Sequence, residues 1–112
     1  MPTEHFNGLT EAEQERLAIL IEECGEAIQA ACKVLRHGYQ SRNPKWIASA
    51  EHPHPETNRQ ELERELGDLS HAVVRMVNSG DVSRQVIEER RRSKPVRMLP
   101  YLHHQAGSAG RS

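Results

Sequence analysis

Two acidic runs hold the residues of this sequence best suited to chemistry. They are Ile21-Glu22-Glu23-Cys24-Gly25-Glu26 and Glu61-Leu62-Glu63-Arg64-Glu65-Leu66-Gly67-Asp68. Within them Glu23 and Glu26, and likewise Glu65 and Asp68, stand three residues apart, and each run closes on a glycine followed by an acid. On a helix, residues three apart are surface neighbours with Cβ atoms about 5–6 Å apart. Like charges there repel, at a small cost to each helix. If the two helices pack side by side, all four carboxylates converge, and four carboxylates do not stay ionised together without cations. Oxygen-only ligation favours Mg²⁺, with Mn²⁺ as a substitute, over zinc. Magnesium held by carboxylates suits phosphate chemistry: it orients polyphosphate oxygens, offsets their charge and acidifies a bound water.

The bland reading is that these are solvated glutamates on amphipathic helices, where Glu is a good helix former. Three details weigh against it. Glu65 falls on the shoulder of an apolar stripe, where packing desolvates a carboxylate that then needs a counter-charge or a metal. Gly25 and Gly67 lie inside helices, each at about 1 kcal/mol relative to Ala, and glycine there would let a partner helix or a ligand come close. Ile19 shares the acidic side of the first helix, a hint that this side is covered.

The elements that must position these acids are legible. Thr10 followed by Glu13 is a capping-box spacing and opens the first helix. Leu17, Leu20, Ile21, Cys24, Ile28, Ala31 and Leu35 recur on one stripe. Glu23, Glu26, Gln29 and Lys33 fall roughly opposite. Gly38 is a good stop. Residues 39–56 form a long connection whose prolines forbid one continuous helix, with room for a turn or two around Lys45 to Ala50. Thr57 with Gln60 opens the second helix, whose stripe is Leu62, Leu66, Leu69, Val73, Met76 and Val77, and Asn78-Ser79-Gly80 closes it. A third helix is expected from an Asp81 N-cap to about Ser93, with Pro95 as the stop. No strand-like alternation is present. The expected fold is all-α, a bundle of three to four main helices over a single domain, 1–104, followed by a disordered tail, 105–112.

The chain has 112 residues and a net charge of −1, which gives no bulk electrostatic case for nucleic acid or an anionic membrane. At 36% hydrophobic and 28% charged it is polar for a monomer, so self-association is expected to complete the core. No apolar run approaches the roughly 20 residues that span a bilayer, and residues 1–6 do not read as a signal peptide. Cys24 and Cys32, about 12 Å apart along one helix, are too far apart for a mutual disulfide. They read as reduced core residues, and the expected location is cytoplasmic.

Other candidates are weaker. Lys33 and Arg36 are placed to meet a phosphate, or equally to serve as surface cations near a helix C-terminus. Trp46 and Tyr39 could stack on a base or close a lid, although packing is the commoner use of a lone Trp. His52 and His54 lack a third ligand for zinc. His71 lies one turn past Asp68. Glu88 to Lys94 reads as a solvated charged face, with a nucleic-acid role for its basic half as the sharper alternative.

The paired motif, Glu23-x-x-Glu26 with Glu65-x-x-Asp68, both glycines, and the flanking Ala31-Cys32-Lys33-Val34-Leu35-Arg36-His37-Gly38 and Thr57-Asn58-Arg59, resembles the MazG-like, all-α nucleoside triphosphate pyrophosphohydrolases. The likeness is to their compact, phage-type branch and covers about residues 16 to 94. It implies that Glu23, Glu26, Glu65 and Asp68 bind Mg²⁺. Glu22 is then a supporting acid or a base that orients water. A metal-activated water attacks the α-phosphorus of a nucleoside triphosphate, releasing monophosphate and pyrophosphate. It also implies a homodimer or homotetramer. Lys94 and Arg97 are the nearest matches to a basic residue found after the family's third helix, with Pro95 between them, and Lys33, Arg36 and Trp46 join them as candidate substrate contacts. The competing readings are a non-catalytic helical interaction module and a helical nucleic-acid-associated protein using the basic run 90–94.

Overall fold

The computed structural model describes residues 6–42 and 55–105. The expected turn around Lys45 to Ala50, Trp46, the His52/His54 pair, and residues 106–112 of the tail lie outside the described residues. The fold is all-α: α1 runs Glu11–His37, α2 Asn58–Asn78 and α3 Arg84–Met98, followed by a 3-10 turn, Leu99–Tyr101. The chain divides into two compact units, Met1–Ser79 with α1 and α2, and Gly80–Ser112 with α3 and the 3-10 turn. No helix among the described residues is long and apolar enough to cross a membrane.

Both long helices start as their sequences predict. The Thr10 hydroxyl accepts from the Glu13 amide at 3.1 Å, and the Thr10 amide donates to the Glu13 carboxylate at 2.9 Å. Thr57 and Gln60 repeat the pattern at 3.2 and 2.9 Å. Caps of this kind contribute about 1 kcal/mol each. α1 ends on Gly38, whose φ of 86° suits glycine.

The start of α2 is tied to the chain leaving α1. The Asn58 and Arg59 amides, which have no partner inside a helix, donate to the carbonyls of Ser41 and Tyr39 at 2.8 and 3.0 Å. The Asn58 side chain donates to the Gly38 carbonyl at 3.1 Å, and Thr57 and Asn58 are both buried. The long connection therefore returns to a fixed point, and that point sets the register of α2 against α1.

α1 and α2 pack side by side. Among the described residues, the buried apolar ones are Ala30 on α1 and Ala72 and Met76 on α2. This differs from the face the apolar periodicity selects. Ile21, Ile28 and Leu35 are 71%, 63% and 86% exposed. α2 instead covers the acidic side of α1, held there by Ala30 and by the Lys33–Glu61 ion pair at 2.9 Å. Small residues on both helices permit that approach, and the pattern of apolar residues does not say which neighbour will take the stripe.

The third helix departs from expectation at both ends. Ser83, not Asp81, is the N-cap, its hydroxyl accepting from the Val86 amide at 3.3 Å. Gly80 turns the chain with a φ of 82°, so Asp81 belongs to the turn. Pro95 does not stop α3, which continues to Met98. Proline removes one backbone donor and crowds the preceding turn. The donor lost is the one the Arg91 carbonyl would use; the side-chain donors of this turn, the Ser93 hydroxyl at 3.1 Å and the Arg97 guanidinium at 3.2 Å, go to the Arg90 carbonyl.

Candidate metal centre

α1 and α2 bring Glu23, Glu26, Glu65 and Asp68 together, with one carboxylate oxygen from each lying within 4.8 Å of the others. The spacing of three places each pair on one side of its helix, and the packing of α2 over the acidic side of α1 makes the pairs face. Glu65 is 5% exposed, Glu23 and Glu26 are half-buried and Asp68 is exposed, so the cluster opens outward on the Asp68 side.

The polar groups of this cluster are incompletely satisfied. Glu65 Oε1 accepts from the Arg64 guanidinium at 2.7 Å, while Glu65 Oε2 is buried without a hydrogen-bond partner among the described residues. Glu23 Oε2 is buried and unpartnered as well. A buried carboxylate oxygen without a donor is costly, and both of these belong to acids of the same cluster. Four hard oxygen donors on a rigid helix pair fit a divalent cation such as Mg²⁺.

Burial and the neighbouring carboxyls raise the proton affinity of both α1 acids. Loss of surrounding water, then the Asp68, Glu65 and Glu22 carboxylates, push Glu23 above the ordinary carboxylate range, with His71 pulling the other way. A hydrogen bond to the Glu65 side chain raises Glu26, followed by the Glu65 charge, desolvation, Glu23 and Glu22. Both shifts favour the protonated acid, so a cation bound here would compete with protons.

A pH dependence follows. Glu23 and Glu26 bind protons more tightly folded than unfolded, so their contribution to stability is fully present below the unfolded carboxylate range. It is lost as pH rises through their raised folded values. Metal-free protein is therefore expected to lose melting temperature as pH rises above that range, and Glu26→Gln to lose less. Thermal melts in chelator across pH check this; a wild-type curve that climbs in parallel with that of Glu26→Gln would contradict it.

The remaining candidates divide. Glu22 is exposed beside Glu23 and acts on both α1 acids through its charge. Lys33 is engaged with Glu61, and Arg36 is exposed in the last turn of α1. Lys94 and Arg97 belong to α3, in the second unit, where Arg97 donates to Ser93 Oγ and the Arg90 carbonyl. Tyr39 carries the Arg59 guanidinium 4.3 Å above its ring, so its face is already occupied. Gly25 and Gly67 are not pressed by a neighbour: a Cβ built on either meets nothing within 4 Å, so neither marks the α1–α2 crossing.

Arg64 is the residue that reading the sequence missed. It donates to Glu56 at 2.8 Å and to Glu65 at 2.7 Å, fixing the buried carboxylate against the start of α2. Its signal was its place among acids at positions 61, 63 and 65. Comparison of the chain with protein-family models, with curated proteins and with solved structures returned no match.

Proposed function

We propose that this chain is a Mg²⁺-dependent nucleotide pyrophosphohydrolase that cleaves a nucleoside or deoxynucleoside triphosphate to the monophosphate and pyrophosphate. The observation that carries the reading is the convergence of four carboxylates from two helices, with a buried, unpartnered oxygen on Glu23 and another on Glu65. The MazG-like resemblance of the paired motif supplies the reaction. Glu23, Glu26, Glu65 and Asp68 would hold Mg²⁺, or Mn²⁺ in its place. When bound, the ion offsets polyphosphate charge and acidifies water.

The chain's own residues have distinct parts in this reading. Arg64 holds Glu65 in place. Glu22, exposed next to Glu23, accepts the proton of the attacking water. The water oxygen bonds to the α-phosphorus as the α–β anhydride bond breaks and pyrophosphate leaves. Arg36, exposed in the last turn of α1, would meet phosphate oxygens, and Lys33 would do so only by sharing itself with Glu61. In this reading the enzyme works as a homodimer or homotetramer, as the resemblance implies.

The test is pyrophosphate release from a panel of NTPs and dNTPs, with and without Mg²⁺. Release from at least one nucleotide, abolished by chelator, is expected. No release from any of them at high protein concentration would overturn the reading.

A further inference from the structure

The net charge of −1 hides two units of opposite sign. Residues 1–79 carry thirteen acids against eight lysines and arginines, whereas residues 80–112 carry three acids against seven. Six of those seven cations, Arg84, Arg90, Arg91, Arg92, Lys94 and Arg97, stand on α3, because the helix runs on through Pro95 to Met98. At about 100° per residue, Arg84, Arg90, Arg91, Lys94 and Arg97 share an arc of about 140° that holds no acid. This stripe is about 20 Å long at 1.5 Å per residue.

No residue of α3 is buried. Arg91 is paired with Glu88 at 2.8 Å on the border of the stripe, and Arg97 reaches back to Ser93 Oγ and the Arg90 carbonyl. Arg90 and Lys94 have no ion pair among the described residues. Glu88 is held below the ordinary carboxylate range, chiefly by its hydrogen bond from Arg91 and also by the charges of Arg92 and Arg84, so the bordering acid is outnumbered. Arg90, Arg91 and Lys94 also wall an open groove of about 680 Å³, whose other lining residues are Pro95, Met98 and Leu102.

We infer that α3 binds the phosphates of duplex DNA without regard to sequence, a second binding site in the unit that lacks the carboxylate cluster. Duplex DNA carries one negative charge per about 1.7 Å of axis, so a basic stripe about 20 Å long spans about a dozen phosphates. A helix with no buried residue fits the major groove, about 12 Å wide. Cations on the wall of the α3 groove would meet phosphate oxygens, and Pro95, Met98 and Leu102 would pack on sugars. Sequence reading is not expected: α3 has no Asn, and the amide of its one Gln, Gln85, donates to Glu89 at 3.2 Å. Single strands are held largely by stacking on aromatic rings, and α3 has none. A helix that lies on a membrane presents Trp, Phe or Leu, and α3 has none of these either.

Fluorescence anisotropy of a labelled duplex of about 20 base pairs, measured in chelator, tests this site apart from the nucleotide reading, which needs metal. Wild-type protein is expected to bind at micromolar concentration in about 50 mM NaCl, with the logarithm of the affinity falling against that of salt at a slope of about −3 to −4. Arg90→Gln with Lys94→Gln should weaken binding at least about tenfold and flatten the slope by about 2, with helical circular dichroism unchanged. Arg90→Lys should keep the slope. Glu88→Gln, which releases Arg91, should tighten binding about threefold or more, a gain that misfolding does not produce. Arg75→Gln, on α2, should change affinity less than about twofold. No binding by the wild type, unchanged affinity in the Arg90/Lys94 double variant, or equally tight binding to polyglutamate, single-stranded DNA or phosphatidylserine vesicles would each overturn the inference.

Discussion

Replacing Glu65 by alanine or glutamine is expected to lower kcat for pyrophosphate release by about a thousandfold, with KM little changed. Glu65 is the most buried of the four acids, and its Oε2 has no donor among the described residues. It is also the first cause of the raised proton affinity of Glu26, so it is the hub of the cluster. Removing one anionic ligand from an oxygen-only site is worth about 4 kcal/mol of transition-state stabilisation, or about three powers of ten in rate. Glutamine keeps the shape and one oxygen but not the charge, so it should fail nearly as badly as alanine. Glu63→Gln is the control: Glu63 is exposed, outside the cluster and two residues away. It should leave the rate within about twofold. A Glu65→Gln protein that keeps a tenth of wild-type activity would remove Glu65 from the ligand set.

Magnesium is expected to stabilise the fold markedly. At a concentration about 100 times its dissociation constant, a ligand that binds only the native state adds about 2.7 kcal/mol. For a domain of this size that is about 10–20 °C in melting temperature. Glu26→Gln separates the two roles of the cluster. The amide can still donate to the Glu65 carboxylate while one negative charge is gone, so metal-free Glu26→Gln should melt no lower than metal-free wild type. Its response to Mg²⁺ should shrink to a few degrees. Equal shifts for the two proteins, or a wild type that responds to Mg²⁺ no more than to matched ionic strength, would argue against a metal site.

Much of this arrangement was legible before any coordinates. The two capping boxes, Thr10 with Glu13 and Thr57 with Gln60, fixed the starts of α1 and α2 because side-chain-to-backbone bonds there are local. Gly38 and Gly80 fixed where helices yield to positive φ. The pairing of Glu23 with Glu26 and of Glu65 with Asp68 followed from helical geometry, and the desolvation of Glu65 from its place on the shoulder of an apolar stripe.

What could not be read depends on neighbours rather than on the local chain. Periodicity shows that Ile21, Ile28 and Leu35 share a face, yet it cannot say whether α2 or another partner takes it. α2 took the acidic side because Ala30 and the Lys33–Glu61 pair accommodate it. Asp81 and Ser83 are both good caps two residues apart, and the turn at Gly80 decides between them. Pro95 is a helix breaker by rule, yet α3 runs on through it to Met98.

The most direct measurement is ³¹P NMR of a nucleoside triphosphate incubated with the wild-type protein and Mg²⁺ in ¹⁸O-enriched water. The account predicts monophosphate carrying the isotope-shifted resonance, unlabelled pyrophosphate, and no reaction with Glu65→Gln or with chelator. Intact triphosphate, nucleoside diphosphate with inorganic phosphate, or label in pyrophosphate would contradict it.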